Sequence, residues 1–144
     1  MVGGDPRTLP ALTRAEVEGW YRRAAEKEWA WIIEYEQRCI GIARLNDWDQ
    51  ANRRASYSIG IYAPSLWGQG LGSEATRLVL RYAFQVLELH RVELRVLDFN
   101  QRAIACYEKC GFVREGVERE SAFIGGQWCS DVRMSVLAHE YALP

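Results

Sequence analysis

From Arg53 to Pro64 the chain alternates strictly: Tyr57, Ile59 and Ile61 are apolar where Ser56, Ser58 and Gly60 are small or polar. A period of two belongs to a strand with one buried face, and Pro64 ends it because it has no N–H for a ladder. Two further strands precede it. The stretches "WAWIIEYE" and "CIGIARLND" are rich in aromatic and β-branched residues and meet at the short polar turn "QR". The three segments are expected to form an antiparallel meander. Ahead of them, Val17, Trp20, Tyr21 and Ala24 fall at helical spacing, and Thr13 with Glu16 forms a capping-box pattern. This predicts a first helix, preceded by a loose segment of a dozen residues containing "VGGDP".

The period changes after Gly72. Leu71, Ala75, Leu78, Val79, Tyr82, Ala83, Val86 and Leu87 recur at intervals of three and four, which predicts a helix with one broad apolar face packed on a sheet. In "RVELRVLD" the alternation of Val92, Leu94 and Val96 with Glu93 and Arg95 returns the chain to a strand. Strand, helix, strand implies a parallel, right-handed crossover. "NQRAIACYEKCGF" reads as a short helix with Asn100 as N-cap and Gly111 just past its end. Two last strands, around Val113 to Phe123 and Trp128 to Leu137, form a hairpin turning at Gly125 and Gly126. The expected fold class is α/β (α+β), a mixed, mostly antiparallel sheet flanked by helices and containing one βαβ unit. All 144 residues fit one domain.

Charge removes several classes of partner. Eighteen Lys and Arg against nineteen Asp and Glu leave a formal charge of −1, so the electrostatic footprint of a general nucleic-acid or membrane-surface binder is missing. The four cysteines, Cys39, Cys106, Cys110 and Cys129, lack CxxC spacing, and His90 and His139 stand far apart. No metal site is expected from them. Cys106 and Cys110 lie on adjacent turns of the expected helix and read as small buried hydrophobes in a reducing compartment. With no targeting segment and no membrane-length apolar run, a cytoplasmic location is expected.

The chemistry concentrates in "LWGQGLGSEATRLVLRYAF", where three glycines run directly into the amphipathic helix. A helix start exposes unpaired N–H groups and a partial positive charge, so a glycine-rich entry admits an anion, most often a phosphate. The nucleotide P-loop is excluded, since Ser73 and Glu74 follow Gly72 where a lysine and a hydroxyl residue belong. The dinucleotide fingerprint fails because Ser73 replaces its third glycine and three meander strands precede it. A phosphate loop of another kind, or a turn that needs positive φ, remains.

Here the chain resembles the GNAT superfamily of N-acetyltransferases, most closely its ribosomal-protein alanine acetyltransferase-like and spermidine acetyltransferase-like branch. The matching stretches are "SIGIYAPSLWGQGLGSEA", "LHRVELRV", "NQRAIACYEKCGFVREG" and "GGQWCSDVRMSVL", in the family's order. The family's loop begins with Arg or Gln; Trp67 departs from this but resembles the Trp-Gly variant of the branch. The resemblance implies that the loop binds the pyrophosphate of acetyl-coenzyme A through Trp67, Gln69, Gly70, Leu71, Gly72 and Ser73. It further implies coenzyme contacts from Ile59 and Ile61 on the third strand and from Asn100 and Ile104 on the second helix of this half. The implied reaction is direct attack of a primary amine, on a small molecule or a peptide, on the thioester. A catalytically silent acyl-coenzyme A binding module is the alternative.

Residue chemistry agrees with part of this. Asn100 and Tyr107 are seven residues apart, nearly two helical turns, and share a face with Ile104. A tyrosine, pKa about 10, stays protonated at neutral pH and can donate to a leaving thiolate whose thiol pKa is about 8.5. Tyr107 is therefore the expected general acid, although it also fits an apolar stripe with Ala103 and Ile104. No base is assigned: relatives carry a glutamate where this chain has Ser58, and Glu36, Asp98 and Glu118 read equally well as surface charges. Ser58 and Trp31 are the acceptor-side candidates, with Trp29, Trp67 and Trp128 as further aromatic surface. Relatives place a strand and helix before the helix at Thr13, where this chain has a dozen residues. The sheet is then expected to begin at "WAWIIEYE", with a homodimer covering that flank.

Overall fold

The computed structural model describes residues 14–15 and 29–141, so the helix expected from Thr13 lies outside it apart from Arg14 and Ala15, which are helical. Three antiparallel strands come first: β1 (Trp29–Tyr35), β2 (Arg38–Asp49) and β3 (Arg54–Ile61). The first hairpin turns at Glu36 and Gln37, one residue earlier than the polar pair Gln37 and Arg38, with both turn residues at positive φ, 51° and 62°. After a one-turn 3-10 segment, Pro64–Leu66, helix α1 (Leu71–Arg81) runs back along the sheet and closes in a π-helical turn, Tyr82–Val86. Strand β4 (Arg91–Leu97), helix α2 (Gln101–Lys109) and the hairpin of β5 (Val113–Ile124) and β6 (Gln127–Leu137) complete the chain.

These strands make one sheet in the order β1-β2-β3-β4-β6-β5. Only β3 and β4 are parallel, joined by the crossover through α1, and the rest is antiparallel. Alternation sorts the two faces. Ala55 and Tyr57 of β3, Val92, Leu94 and Val96 of β4, and Val132, Met134 and Val136 of β6 are buried on one face with Val79, Leu80 and Ala83 of α1 and Ile104 of α2. The opposite face of β4 and β6 carries Glu93, Arg95, Asp131, Arg133 and Ser135, in cross-strand register. There Glu93 is gripped by Arg54 and Arg133, and Arg133 also bonds Glu118 of β5.

Helix α1 corrects the expectation about its face. Leu78 and Val86, placed in the apolar stripe by the sequence, are 57% and 60% exposed, whereas Ser73 and Thr76 are buried beside Val79, Leu80 and Ala83. The buried line is therefore 73, 76, 80, 83, offset from the line of leucines. Two hydroxyl residues hold it because both find hydrogen-bond partners inside: Ser73 meets the Cys106 thiol, and Thr76 meets Tyr57 and the Gly72 carbonyl.

Candidate active site

Two neighbouring parallel strands send their connections in different directions, and a crevice opens at their carboxyl ends. In open sheets that is where ligands bind. Pairing between β3 and β4 covers three positions, Arg54 with Arg91, Ala55 with Val92 and Ser56 with Glu93, and then stops. β3 continues to Ile61 and β4 to Leu97, so the second half of each strand has no partner in the other. The loop leading to α1 closes one side of this gap, and α2 closes the other.

The loop is built to present bare backbone. Gly68 and Gly70 hold φ of +81° and +80°, and a Cβ on either would meet nothing within 4 Å. Left-handed backbone rather than lack of room is what calls for glycine at these two positions. Gly70 is the N-cap of α1 and has no side chain to cap with, so the N–H groups of the first turn are left to an external acceptor. The partial positive charge of the helix start adds to their pull on an anion.

Side chains fix the loop from both sides. Trp67 donates its indole N–H to the Ile61 carbonyl at 3.0 Å, tying the loop to the end of β3. Gln69 donates to the Ser65 carbonyl at 3.3 Å. Across the crevice, the Arg102 guanidinium of α2 sits 3.8 Å above the Trp67 ring. Beneath the loop, Thr76 donates to the Gly72 carbonyl at 2.7 Å, which leaves Tyr57 to donate to Thr76 at 2.9 Å. Thus β3 is hydrogen-bonded through two buried hydroxyls to the first turn of α1.

On α2, Asn100 caps the helix by accepting from the Ala103 N–H at 3.3 Å. Tyr107 is buried, its ring edge-on to Tyr57 at 6.4 Å and to Phe112 at 5.7 Å. Burial, and behind it the neighbouring Cys106 and Cys110, push the Tyr107 phenol well above its ordinary value, so it keeps its proton at neutral pH. Ile104 is 1% exposed and belongs to the core. It supports the crevice from behind and offers a ligand no surface.

The expected acceptor-side pair is not brought together. Trp31 stands opposite Ala43, and Ala43 opposite Ile59, on the helix-bearing face, where Trp31 meets Tyr82 edge-on at 5.4 Å. Ser58 stands opposite Arg44, on the other face, where it accepts from Asn46 at 3.3 Å. Among the carboxylates weighed as a base, Glu118 accepts from Arg133 and Arg95, which hold it below the ordinary carboxylate range and make it a weak base. Glu36 is in the β1–β2 turn, and Asp98 is exposed just past the end of β4. Among the described residues no three His, Cys, Asp or Glu side chains gather to hold a metal ion. Sequence reasoning passed over Thr76 and the cross-crevice stack of Arg102 on Trp67. A hydroxyl residue on the inner line of an amphipathic helix is the signal that would have found the first; nothing local marks the second.

Residues 4–113 match the sequence profile of the Acetyltransferase (GNAT) domain family. The chain belongs to the GNAT family. Among curated GNAT-type relatives, it is 34% identical over 116 residues to spermidine N(1)-acetyltransferase of Escherichia coli K12, covering 81% of this chain and 62% of that protein. The enzyme of the same name from Vibrio cholerae is 35% identical over 110 residues, covering 76% of this chain and 63% of that one. The chain thus spans less than two thirds of the length of these relatives. [Ribosomal protein uS5]-alanine N-acetyltransferase of E. coli is 29% identical over 94 residues, covering 65% of this chain and 48% of that protein. Among solved structures, Vibrio cholerae spermidine N-acetyltransferase in complex with CoA and spermine superposes with a TM-score of 0.76 at 31% identity, covering 92% of this chain and 80% of that one. The mixed sheet with its βαβ unit is therefore the GNAT fold. No helix among the described residues is long and apolar enough to cross a membrane.

Proposed function

We propose that this chain is an N-acetyltransferase that moves the acetyl group of acetyl-coenzyme A to a primary amine. The observation that supports the reading is the gap between the ends of β3 and β4, with the uncapped start of α1 following β3 and Tyr107 of α2 edge-on to Tyr57 of β3. Backbone N–H groups of Leu71, Gly72 and Ser73 hold the pyrophosphate. The unpaired ends of β3 and β4 offer a polar edge along which the amide-bearing arm of the coenzyme lies, beside Ile59, Ile61 and Asn100.

In the reaction, the amine nitrogen attacks the thioester carbonyl carbon, the C–S bond breaks, the leaving thiolate takes the proton of Tyr107, and the proton shed by the new amide nitrogen restores the phenol. The acceptor must first lose a proton, since an alkylamine has a pKa near 10. Glu118 is held by Arg95 and Arg133 and is a poor base, and bulk water reached through the crevice serves as the proton sink. The names of the relatives support polyamines as the first acceptors to try, followed by amino-terminal peptides. A homodimer joined across β1, an edge of the described sheet, belongs to the same proposal and is read by sedimentation.

The test is release of coenzyme thiol when the chain is incubated with acetyl-coenzyme A and spermidine, spermine or an alanine-starting peptide. Release dependent on one of these amines supports the proposal. Tight coenzyme binding without release across the panel favours the silent binding module, and no binding at all removes both readings.

A further inference from the structure

Two thiols of α2 converge on the first turn of α1. Cys106 Sγ lies 3.2 Å from Ser73 Oγ, and the Cys110 thiol donates to the Ser73 carbonyl at 3.5 Å. A Cβ on Gly72 would stand 3.6 Å from Cys106 Sγ and 3.7 Å from Ile61 Cδ1. The Cys106 sulfur therefore lies beside Gly72 and Ser73, two of the three residues whose backbone N–H groups open the helix. It is half-buried, within reach of a small reagent, whereas Cys110 is buried. The acetyl transfer proposed above gives neither sulfur a task.

The surroundings make the two thiols unequal. The neighbouring Cys110 and Ser73, with the charges of Arg77 and Lys109, outweigh burial and push the Cys106 thiol down to about 6. Cys106, followed by burial, pushes the Cys110 thiol up. This inequality favours the proton on Cys110 and the thiolate, the form that reacts, on Cys106.

We propose that Cys106 is a site of thiol–disulfide exchange, and that its modification disables the coenzyme loop. The Cys106 thiolate attacks one sulfur of a small organic disulfide. The old S–S bond breaks, a new one forms to Cys106, and the other half leaves as a thiolate that takes a proton from water. Cys106 is oxidised and the departing sulfur reduced, so no further oxidant is needed. The sulfur already lies 3.2 Å from Ser73 Oγ, so an adduct on it crowds the first turn of α1 and displaces that turn. The second half of this inference rests on reading that turn as the coenzyme site.

The experiment uses the full chain and dithiodipyridine as the probe disulfide. Acetyl-coenzyme A, which has no free thiol, is first titrated by calorimetry into unmodified protein to establish its Kd. Peptide mapping after addition of one equivalent of probe should find Cys106 labelled at least about tenfold faster than Cys39, Cys110 or Cys129. Saturating acetyl-coenzyme A should slow that labelling, and the singly labelled chain should bind acetyl-coenzyme A at least about tenfold more weakly until a reductant restores it. Cys106→Ser should bind normally and ignore the probe. A fast thiol that survives in Cys106→Ser, labelling unaffected by coenzyme, or a labelled chain with unchanged Kd overturns the proposal. If that variant folds poorly, mapping and protection in the wild-type chain decide. If unmodified protein binds no acetyl-coenzyme A, the coenzyme reading fails and the gating half with it, while the labelling order still decides whether Cys106 is the exchange site.

Discussion

The guanidinium of Arg102, near the start of α2, stacks 3.8 Å above the indole ring of Trp67, in the loop before α1. This contact joins the two segments that the proposed function sets on one coenzyme molecule. A stack at this exposure is worth about 0.5–1 kcal/mol. Arg102→Ala is expected to raise the KM for acetyl-coenzyme A by roughly twofold to fivefold with kcat nearly unchanged, because what is lost is ground-state organisation. Arg102→Lys should recover part of it. Steady-state kinetics on the pair checks this, and a fall in kcat with constant KM would refute it.

Gly70→Val tests the loop. The space around a Cβ at this position is open, so the cost comes from holding a β-branched residue at φ +80°, about 1–2 kcal/mol. The variant should fold with a lower Tm and bind acetyl-coenzyme A at least about tenfold more weakly, since its backbone will leave the αL region. Calorimetric titration of the folded variant decides: an unchanged Kd removes the loop from the coenzyme site.

Tyr107→Phe separates catalysis from packing. Among the described residues no group hydrogen-bonds the Tyr107 hydroxyl, so its removal should leave Tm within a degree or two, as expected for a change under about 0.5 kcal/mol. Loss of a general acid typically lowers kcat by about 10² to 10⁴. Equal kcat in variant and parent would leave Tyr107 only a core role with Tyr57 and Phe112.

Thr76→Val keeps shape and removes a hydroxyl that both donates to Gly72 and accepts from Tyr57. Tyr57 is then a buried donor without a partner, a cost of about 1–3 kcal/mol. Chemical denaturation should show that loss. Tyr57→Phe combined with Thr76→Val should recover part of it, because both polar groups are then gone together.

Glu93 carries a pH dependence. Burial works to raise its pKa, but hydrogen bonds and charge from Arg54, then Arg91 and Arg133, hold it below the ordinary value. A depressed folded pKa contributes stability that is present above the unfolded value, about 4.3, and is lost as pH falls through the folded one. Glu93→Gln should therefore be less stable than the parent at pH 7, by about 2 kcal/mol, and the gap should close below about pH 4. Denaturant melts across that range check it; a gap independent of pH would assign the loss to packing.

Strands and connections were legible because their periods are clean. In β3, β4 and β6, alternation alone separates Val92, Leu94 and Val96 from Glu93 and Arg95, and the structure sorts them the same way. The face of α1 was not, since a reading that weighs apolarity counts Leu78 and passes over Ser73 and Thr76, whose burial depends on partners 33 and 19 residues away. Asn100 as a cap is a local matter and was readable from its position before the helix. Trp31 and Ser58 were both acceptor-side candidates, but strand register puts them on opposite faces, which no single-strand pattern reveals.

The short pairing of β3 with β4 also bears on motion. Three residue pairs join the leaf made of β1, β2 and β3 to the leaf made of β4, β6 and β5, so that junction is the seam along which the sheet can flex. A molecule lying in the gap and accepting backbone hydrogen bonds from both leaves acts as a splint. Those amides of Tyr57 to Ile61 and of Leu94 to Leu97 that point into the gap should exchange with solvent faster than those of central β2 in the free chain and slow together when acetyl-coenzyme A is added. The coenzyme would then be a temporary structural strut as well as an acyl donor, and its departure after each turnover would loosen the seam again.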